Sequence, residues 1–139
     1  MIDGLQNEID AHPEFVGASN RIIKDALNKD GTAQTETWVV SDEPRKLNRT
    51  AMLGYVSVAS LEAIADFKET DQGKAFKLLF ESGSTYDFAH PTTRQMTQNL
   101  ADADVITQAE ADSLLRVGER SISRAEELWS RKITLEDFK

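Results

Sequence analysis

The chain contains no cysteine. Disulfides, cysteine-ligated zinc, iron–sulfur clusters and thiol catalysis are therefore excluded. Histidine is nearly as scarce, with His12 and His90 the only two in 139 residues. Each stands directly before a proline, and the pair fits no metal-ligand spacing. Each reads as a turn residue that hydrogen bonds or stacks, not as half of an acid–base couple. With three prolines and seven glycines, no Pro/Gly-rich linker divides the chain. No apolar run is long enough to span a bilayer. The acidic Asp3 and Glu8 near the start do not suit a secretory leader, which predicts a protein that stays in the cytosol where it is made.

Positive charge is also in short supply. Sixteen basic residues face 24 acidic ones, for a net charge of −8 and a pI near 4.7. A nucleic-acid-binding domain needs clustered Lys and Arg for phosphates, so nucleic acid is a disfavoured partner. The one locally positive stretch is Arg45, Lys46 and Arg49. It contains no aromatic residue on which a base could stack, and it reads as a solvated loop or a contact for an acidic partner surface.

Signatures of catalysis are missing as well. There is no glycine-rich phosphate loop, no Gly-x-Ser-x-Gly and no His-Glu-x-x-His. The paired carboxylates Glu126-Glu127, Glu136-Asp137 and Asp102-x-Asp104 do not converge, because neighbours on a helix diverge by about 100° per residue. They suit helix N-termini and a wet surface. No catalytic, cofactor-binding or metal-binding residue is assigned, and the chain reads as a non-enzyme without a cofactor.

What the sequence does contain is helix punctuation. Thr107-x-x-Glu110, Ser123-x-x-Glu126 and Thr134-x-x-Asp137 each place a hydroxyl at a helix start and a carboxylate three residues on. The hydroxyl accepts from an unpaired backbone N–H, and in the first two the Glu reaches back to the cap residue. Apolar spacing predicts helices over 2–11 (Ile2, Leu5, Ile9), after Ser19 (Ile22, Ile23, Ala26, Leu27), after Ser57 (Leu61, Ile64, Ala65, Phe67) and after Asp71 (Ala75, Phe76, Leu78, Leu79, Phe80). Pro91 opens another helix running to about Asp102, with Met96 and Leu100 inward. After Thr107 come Ala111, Leu114, Leu115 and Val117, and after Ser123 come Ala125, Leu128 and Trp129. Ser84 to His90, with Tyr86 and Phe88, reads as a loop.

Residues 32–50 differ. Thr35 to Val40 is β-branched and aromatic, which suits a strand or an extended arm. Trp38 stands among polar neighbours, where it either anchors an interface or folds back on its own core. The expected fold is mainly α: a compact bundle of about six short helices, with an extended arm or minor β element near 32–50. The expected organisation is one domain over 1–139, with N-terminal helices in 1–31, the arm in 32–50 and the helical core in 51–139. Trp38, Val39, Arg45 and Arg49 are the expected partner-binding residues.

Four pieces carry a resemblance. They are Ile2-Asp3-Gly4-Leu5-Gln6-Asn7-Glu8-Ile9-Asp10, Ala26-Leu27-Asn28, Leu47-Asn48-Arg49-Thr50-Ala51-Met52 and Ser121-Ile122-Ser123-Arg124-Ala125-Glu126-Glu127-Leu128-Trp129. In these the chain resembles a group of small uncharacterised proteins of tailed bacteriophages, in which glycine often stands where this chain has Trp129. The resemblance implies a phage origin and a place in the particle or its tail machinery, and it brings no assigned activity. The expectation is a structural or assembly protein of the virion: a tail, tail-tip or head-to-tail connector component. Its partners would be other phage structural proteins and copies of itself, met first in the host cytoplasm and then in the virion. The alternatives are a small acidic intracellular phage protein that binds and inhibits a host factor, and a nuclease or hydrolase in which carboxylates such as Glu110, Glu126 and Asp137 would have to converge.

Overall fold

A computed structural model describes residues 1–139. The chain is mainly helical, with α1 (Leu5–Asp10), α2 (Asn20–Asn28), α3 (Arg49–Leu53), α4 (Val58–Phe67), α5 (Lys74–Glu81), α6 (Pro91–Asp102), α7 (Gln108–Val117) and α8 (Arg124–Trp129). Short 3-10 turns occupy Pro13–Phe15 and Leu135–Phe138. Four strands of three residues each, β1 (Trp38–Val40), β2 (Lys46–Asn48), β3 (Thr85–Asp87) and β4 (Glu119–Ser121), form two two-stranded sheets, β1 with β4 and β2 with β3. No helix is long and apolar enough to cross a membrane.

The residues fall into two compact units. The terminal unit joins Met1–Val39 to Ser121–Lys139, and the central unit is Val40–Arg120. The units group the chain differently from the expected segments 1–31, 32–50 and 51–139, since α8 and the residues after it pack with the first two helices. The reason is the apolar surface of those helices. Short helices cannot bury a hydrophobic face alone, and α1 and α2 find theirs on the distant C-terminal segment. Leu5, Phe15, Ile23, Leu27, Ala125, Ile133 and Phe138 form that core, each burial stabilising by roughly 1.5–3 kcal/mol for the larger side chains. Asn28 fixes the register. Its amide donates to the Ile133 carbonyl and accepts from the Ile133 N–H, both at 2.8 Å.

The central unit builds its core from Ile64, Phe76, Phe80, Tyr86, Phe88, Leu100, Val105, Ile106, Ala111 and Leu114. An aromatic row runs through it, Phe67 to Phe76 to Phe80 to Tyr86, with successive ring centroids 6.1, 5.3 and 5.7 Å apart. The α4–α5 apolar pair expected at the centre of the core is there through Ile64, Phe76 and Phe80. The segment read as a loop at Ser84 to His90 is a correction. It carries β3, which runs antiparallel to β2 with Leu47 opposite Tyr86, and Phe88 is only 1% exposed. A three-residue strand has too little periodicity to be read in isolation; its partner is 37 positions upstream or more.

Of the two alternatives for residues 32–50, the β element is the one realised. β1 and β2 are paired strands, and Arg49 begins α3 with the Asn48 side chain accepting from the Ala51 N–H at 2.7 Å. Five helix-face expectations also need correction. Ile22, Leu78, Ala65, Leu128 and, at the start of α5, Ala75 were expected inward and are exposed. In α5 the core takes Phe76 and Phe80, spaced i and i+4, so Leu78 points about 200° away; it is 74% exposed. In α2 the pair Ile23 and Leu27 wins in the same way and leaves Ile22 outside.

Candidate interaction surface

The carboxylates define the character of the molecule. The first two helix-start signals form as boxes of reciprocal hydrogen bonds, while at the third the Asp137 N–H donates to the Thr134 carbonyl and only the carboxylate reaches back. Glu110 accepts from the Thr107 N–H at 2.9 Å, Glu126 from the Ser123 N–H at 3.1 Å and Asp137 from the Thr134 N–H at 2.8 Å. The reach-back by Asp137 was not foreseen, and the same carboxylate also takes a bidentate pair from Arg131 at 2.9 and 2.7 Å. That guanidinium first, then the Thr134 N–H, holds Asp137 well below the usual carboxylate range.

Glu110 serves two helices. Besides its own cap it accepts from the Ser57 N–H and the Ser60 hydroxyl, both at 2.6 Å, at the start of α4. Desolvation pushes its pKa up, but the Ser60 hydroxyl and the Thr107 and Ser57 N–H groups outweigh that and bring it down to about 2. Its stabilising contribution is therefore complete above the ordinary 4.5 and disappears as pH falls towards about 2. Glu110→Ala is expected to cost about 2 kcal/mol or more at neutral pH, for one cap and two further charged contacts. Urea unfolding of both proteins across the acid range should show that difference shrinking below the ordinary carboxylate pKa.

Two more carboxylates hold loops in the same manner. Glu127 accepts from the Gln34 N–H at 3.0 Å and the Thr35 N–H at 2.9 Å. Asp87 accepts from the Arg45 N–H at 2.9 Å and the Ala89 N–H at 3.0 Å. The Thr35 N–H chiefly, with Arg124 and the Gln34 N–H, holds Glu127 below its ordinary pKa. For Asp87 the Arg45 N–H does the same.

The histidines are turn residues. His90 Nδ1 accepts from the Thr92 N–H at 3.1 Å and so caps α6. His12 lies against Phe15, with centroids 5.0 Å apart and the rings tilted by 41°, and faces a carboxylate on each side. No group of three or more His, Cys, Asp or Glu side chains is placed to hold a metal ion. The cavity inside the central unit has about 30 Å³ of free volume, walled by apolar side chains such as Leu53, Phe76 and Met96. That is room for about a water molecule, and of the polar lining residues Thr97 and Tyr86 spend their hydroxyls on the Thr93 and Phe80 carbonyls.

The four residues expected to meet a partner have different fates. Trp38 is 39% exposed, with its indole N–H donating to Glu36 at 3.1 Å. Val39 is half-buried between the exposed Trp38 and Val40, as strand alternation requires. Arg45 is half-buried and bonds the Ser41 hydroxyl through Nε at 3.2 Å. Arg49 is committed to its own fold. It donates to the Tyr86 hydroxyl at 3.0 Å and to the carbonyls of Phe80 and Gly83 at 2.6 and 3.0 Å, and lies 4.7 Å over the Phe80 ring. The other tryptophan, Trp129, is half-buried on the terminal core and donates to the Asp3 carbonyl at 2.9 Å.

Sequence reasoning missed the most exposed apolar side chains. Val16 is 87% exposed, and Val58 and Tyr55 also stand in solvent. A signal existed for Val58, the first residue of a helix whose inward stripe begins at Ser60 and Ile64. For Val16, in a turn, there was none. Glu8 was missed too. It is a buried carboxylate on α1, bonded by Arg124 at 2.8 and 3.0 Å, and its place between Leu5 and Ile9 on the inward stripe was the available signal. No known protein family matches this chain, and no characterised protein or solved structure is similar enough to count as a match.

Proposed function

We propose that this chain is a non-enzymatic structural or assembly protein of a tailed-bacteriophage particle, a tail, tail-tip or connector component. It works through contacts with other particle proteins and with copies of itself. The observation that supports this most is the use made of the acidic groups. Glu110, Glu126, Glu127, Asp87 and Asp137 are all turned onto backbone N–H groups, where they brace the fold. Meanwhile large apolar side chains, among them Val16, Leu78 and Val58, face outward. Building blocks of a particle need a firm body and an adhesive exterior, and repeated head-to-tail contacts close such blocks into rings. The resemblance of the four short pieces to phage proteins supplies the setting. Because Arg49 is occupied internally, Trp38, Val39 and Arg45 are the members of the expected contact set best placed to meet a neighbour.

Mass spectrometry of purified particles of the encoding phage tests this. The chain is expected at a fixed copy number per particle, and its absence from clean particles would remove the proposal. A second reading, an acidic protein that occupies and inhibits a host factor, is favoured by the net charge of −8. Pull-down from infected cells separates the two: a single host enzyme as the dominant partner selects the inhibitor, and particle proteins select the structural component.

A further inference from the structure

His12 lies in the terminal unit, between two carboxylates on opposite sides of its ring. Nε2 is 2.8 Å from Glu8 Oε1 and Nδ1 is 3.0 Å from Glu14 Oε1. Only the imidazolium has a proton on both nitrogens. The neutral ring has one N–H and one lone pair, so it must set that lone pair against a carboxylate oxygen at hydrogen-bond distance. One of the two contacts then has to open.

The surroundings decide which. Glu8 is buried on α1, and its carboxylate is also clamped by Arg124 of α8, whose guanidinium continues to Glu127. Glu14 is on the exposed side, with its side chain 64% accessible. The buried carboxylate keeps its hydrogen bond and the exposed one lets go. Glu14 belongs to the turn Pro13–Phe15, which is otherwise held by the Phe15 N–H on the His12 carbonyl, the Ala18 N–H on the Phe15 carbonyl and the burial of Phe15.

We infer that His12 is a pH-sensitive latch of the terminal unit: as the imidazolium it ties the Pro13–Phe15 turn to α1 through Glu14 and Glu8, and as the neutral ring it loosens that turn. The turn that loosens is followed at once by Val16, the most exposed large apolar side chain in the chain. On the function proposed above, the latch thus controls how firmly this apolar residue is presented to a neighbour. The Glu8 hydrogen bond, against desolvation and with help from Glu14, holds the imidazolium above its ordinary 6.5. A raised histidine pKa means that the latch is fully engaged below the ordinary value and is lost as pH rises through the raised one. Glu8, Glu14, Arg124 and Glu127 are the charged groups of this network, from α1, the turn and α8.

Proton NMR of the full chain should show His12 titrating above 6.5. Hydrogen exchange of the Phe15 and Ala18 amides, corrected for intrinsic base catalysis, should lose protection about two- to fivefold between about pH 5 and about pH 9, the range an exposed ion pair commands. In His12→Gln, which has no proton to lose, the corrected protection should be flat. Glu14→Gln, a change at an exposed side chain, should lower the His12 pKa and abolish most of the pH dependence even if His12→Gln folds poorly. A His12 pKa at or below 6.5, or the same pH dependence in wild type and Glu14→Gln, would overturn the latch.

Discussion

Gly118→Ala is expected to destabilise the central unit by about 3 kcal/mol or more, at the upper end of what overpacking costs. The glycine is needed for space and not for backbone freedom. Its φ of −81° is open to any residue, so conformational strain has no part in the effect. A Cβ built on Gly118 would lie 1.9 Å from the Phe88 carbonyl oxygen, 2.2 Å from its carbon and 2.7 Å from the Ala89 nitrogen. All three are backbone atoms, which cannot swing aside as a side-chain tip can. Phe88 is itself fixed, since its N–H donates to the Arg45 carbonyl at 2.9 Å and its carbonyl accepts from Arg94 at 3.1 Å. Accommodating one methyl group therefore means moving β3 or the end of α7. Gly83→Ala is the matched control. Its nearest neighbour is the Thr85 oxygen at 3.7 Å, an ordinary contact, and it should stay within about 1 kcal/mol of the parent. Urea unfolding followed by circular dichroism should show a lowered midpoint for Gly118→Ala alone. An unchanged midpoint would mean that the Phe88 backbone does not approach as closely in solution.

Phe88→Ala should remove about 3–5 kcal/mol, the range for deleting a buried aromatic ring. Phe88 is 1% exposed, the least of any large side chain in the central core, and it lines the same cavity that Phe76, Met96 and Leu114 line. Truncation would enlarge a void that already exists, so collapse of the surroundings would recover little of the loss. Phe88→Leu keeps most of the volume and should cost less than half as much, on the ordinary scale of large-to-small against shape-changing replacements. Thermal and urea unfolding of the two variants give the comparison. Because Phe88 and Gly118 touch, their effects should not add, and the double variant measures the coupling. Equal, small losses for both Phe88 variants would show that the ring is not part of a close-packed core.

How much of this could be read from residues alone follows from the range of each interaction. The caps at Thr107 and Ser123 were legible because a cap and its carboxylate are three positions apart, and the geometry of one helical turn suffices to bring them together. The start of α6 at Pro91 and the inward positions of Phe76, Phe80, Leu100 and Leu114 were legible for the same reason. Of the short strands, β1 lies in the segment read as strand or arm, but β2 and β3 were not legible, because they become strands only on meeting each other. The two expected partner contacts with the least similar outcomes, Trp38 and Arg49, make the point for the candidate site. Both sat in one segment of mixed polarity, yet one stands in solvent and the other is bound to Phe80, Gly83 and Tyr86.

Composition and local spacing by themselves determined that this is a cysteine-free, acidic, mainly helical chain, with helices that start at the hydroxyls of Ser19, Ser57, Thr107 and Ser123. Tertiary structure alone decided that the first 39 and last 19 residues share a core, that Glu110 caps two helices at once, that Glu8 is buried against Arg124, and that Gly118 admits no side chain. Local signals act over one turn of helix, where chain geometry leaves few choices. The rest depends on which of several apolar faces and charged groups meet across dozens of residues, and that is settled by packing, where every contact competes with all the others for the same space.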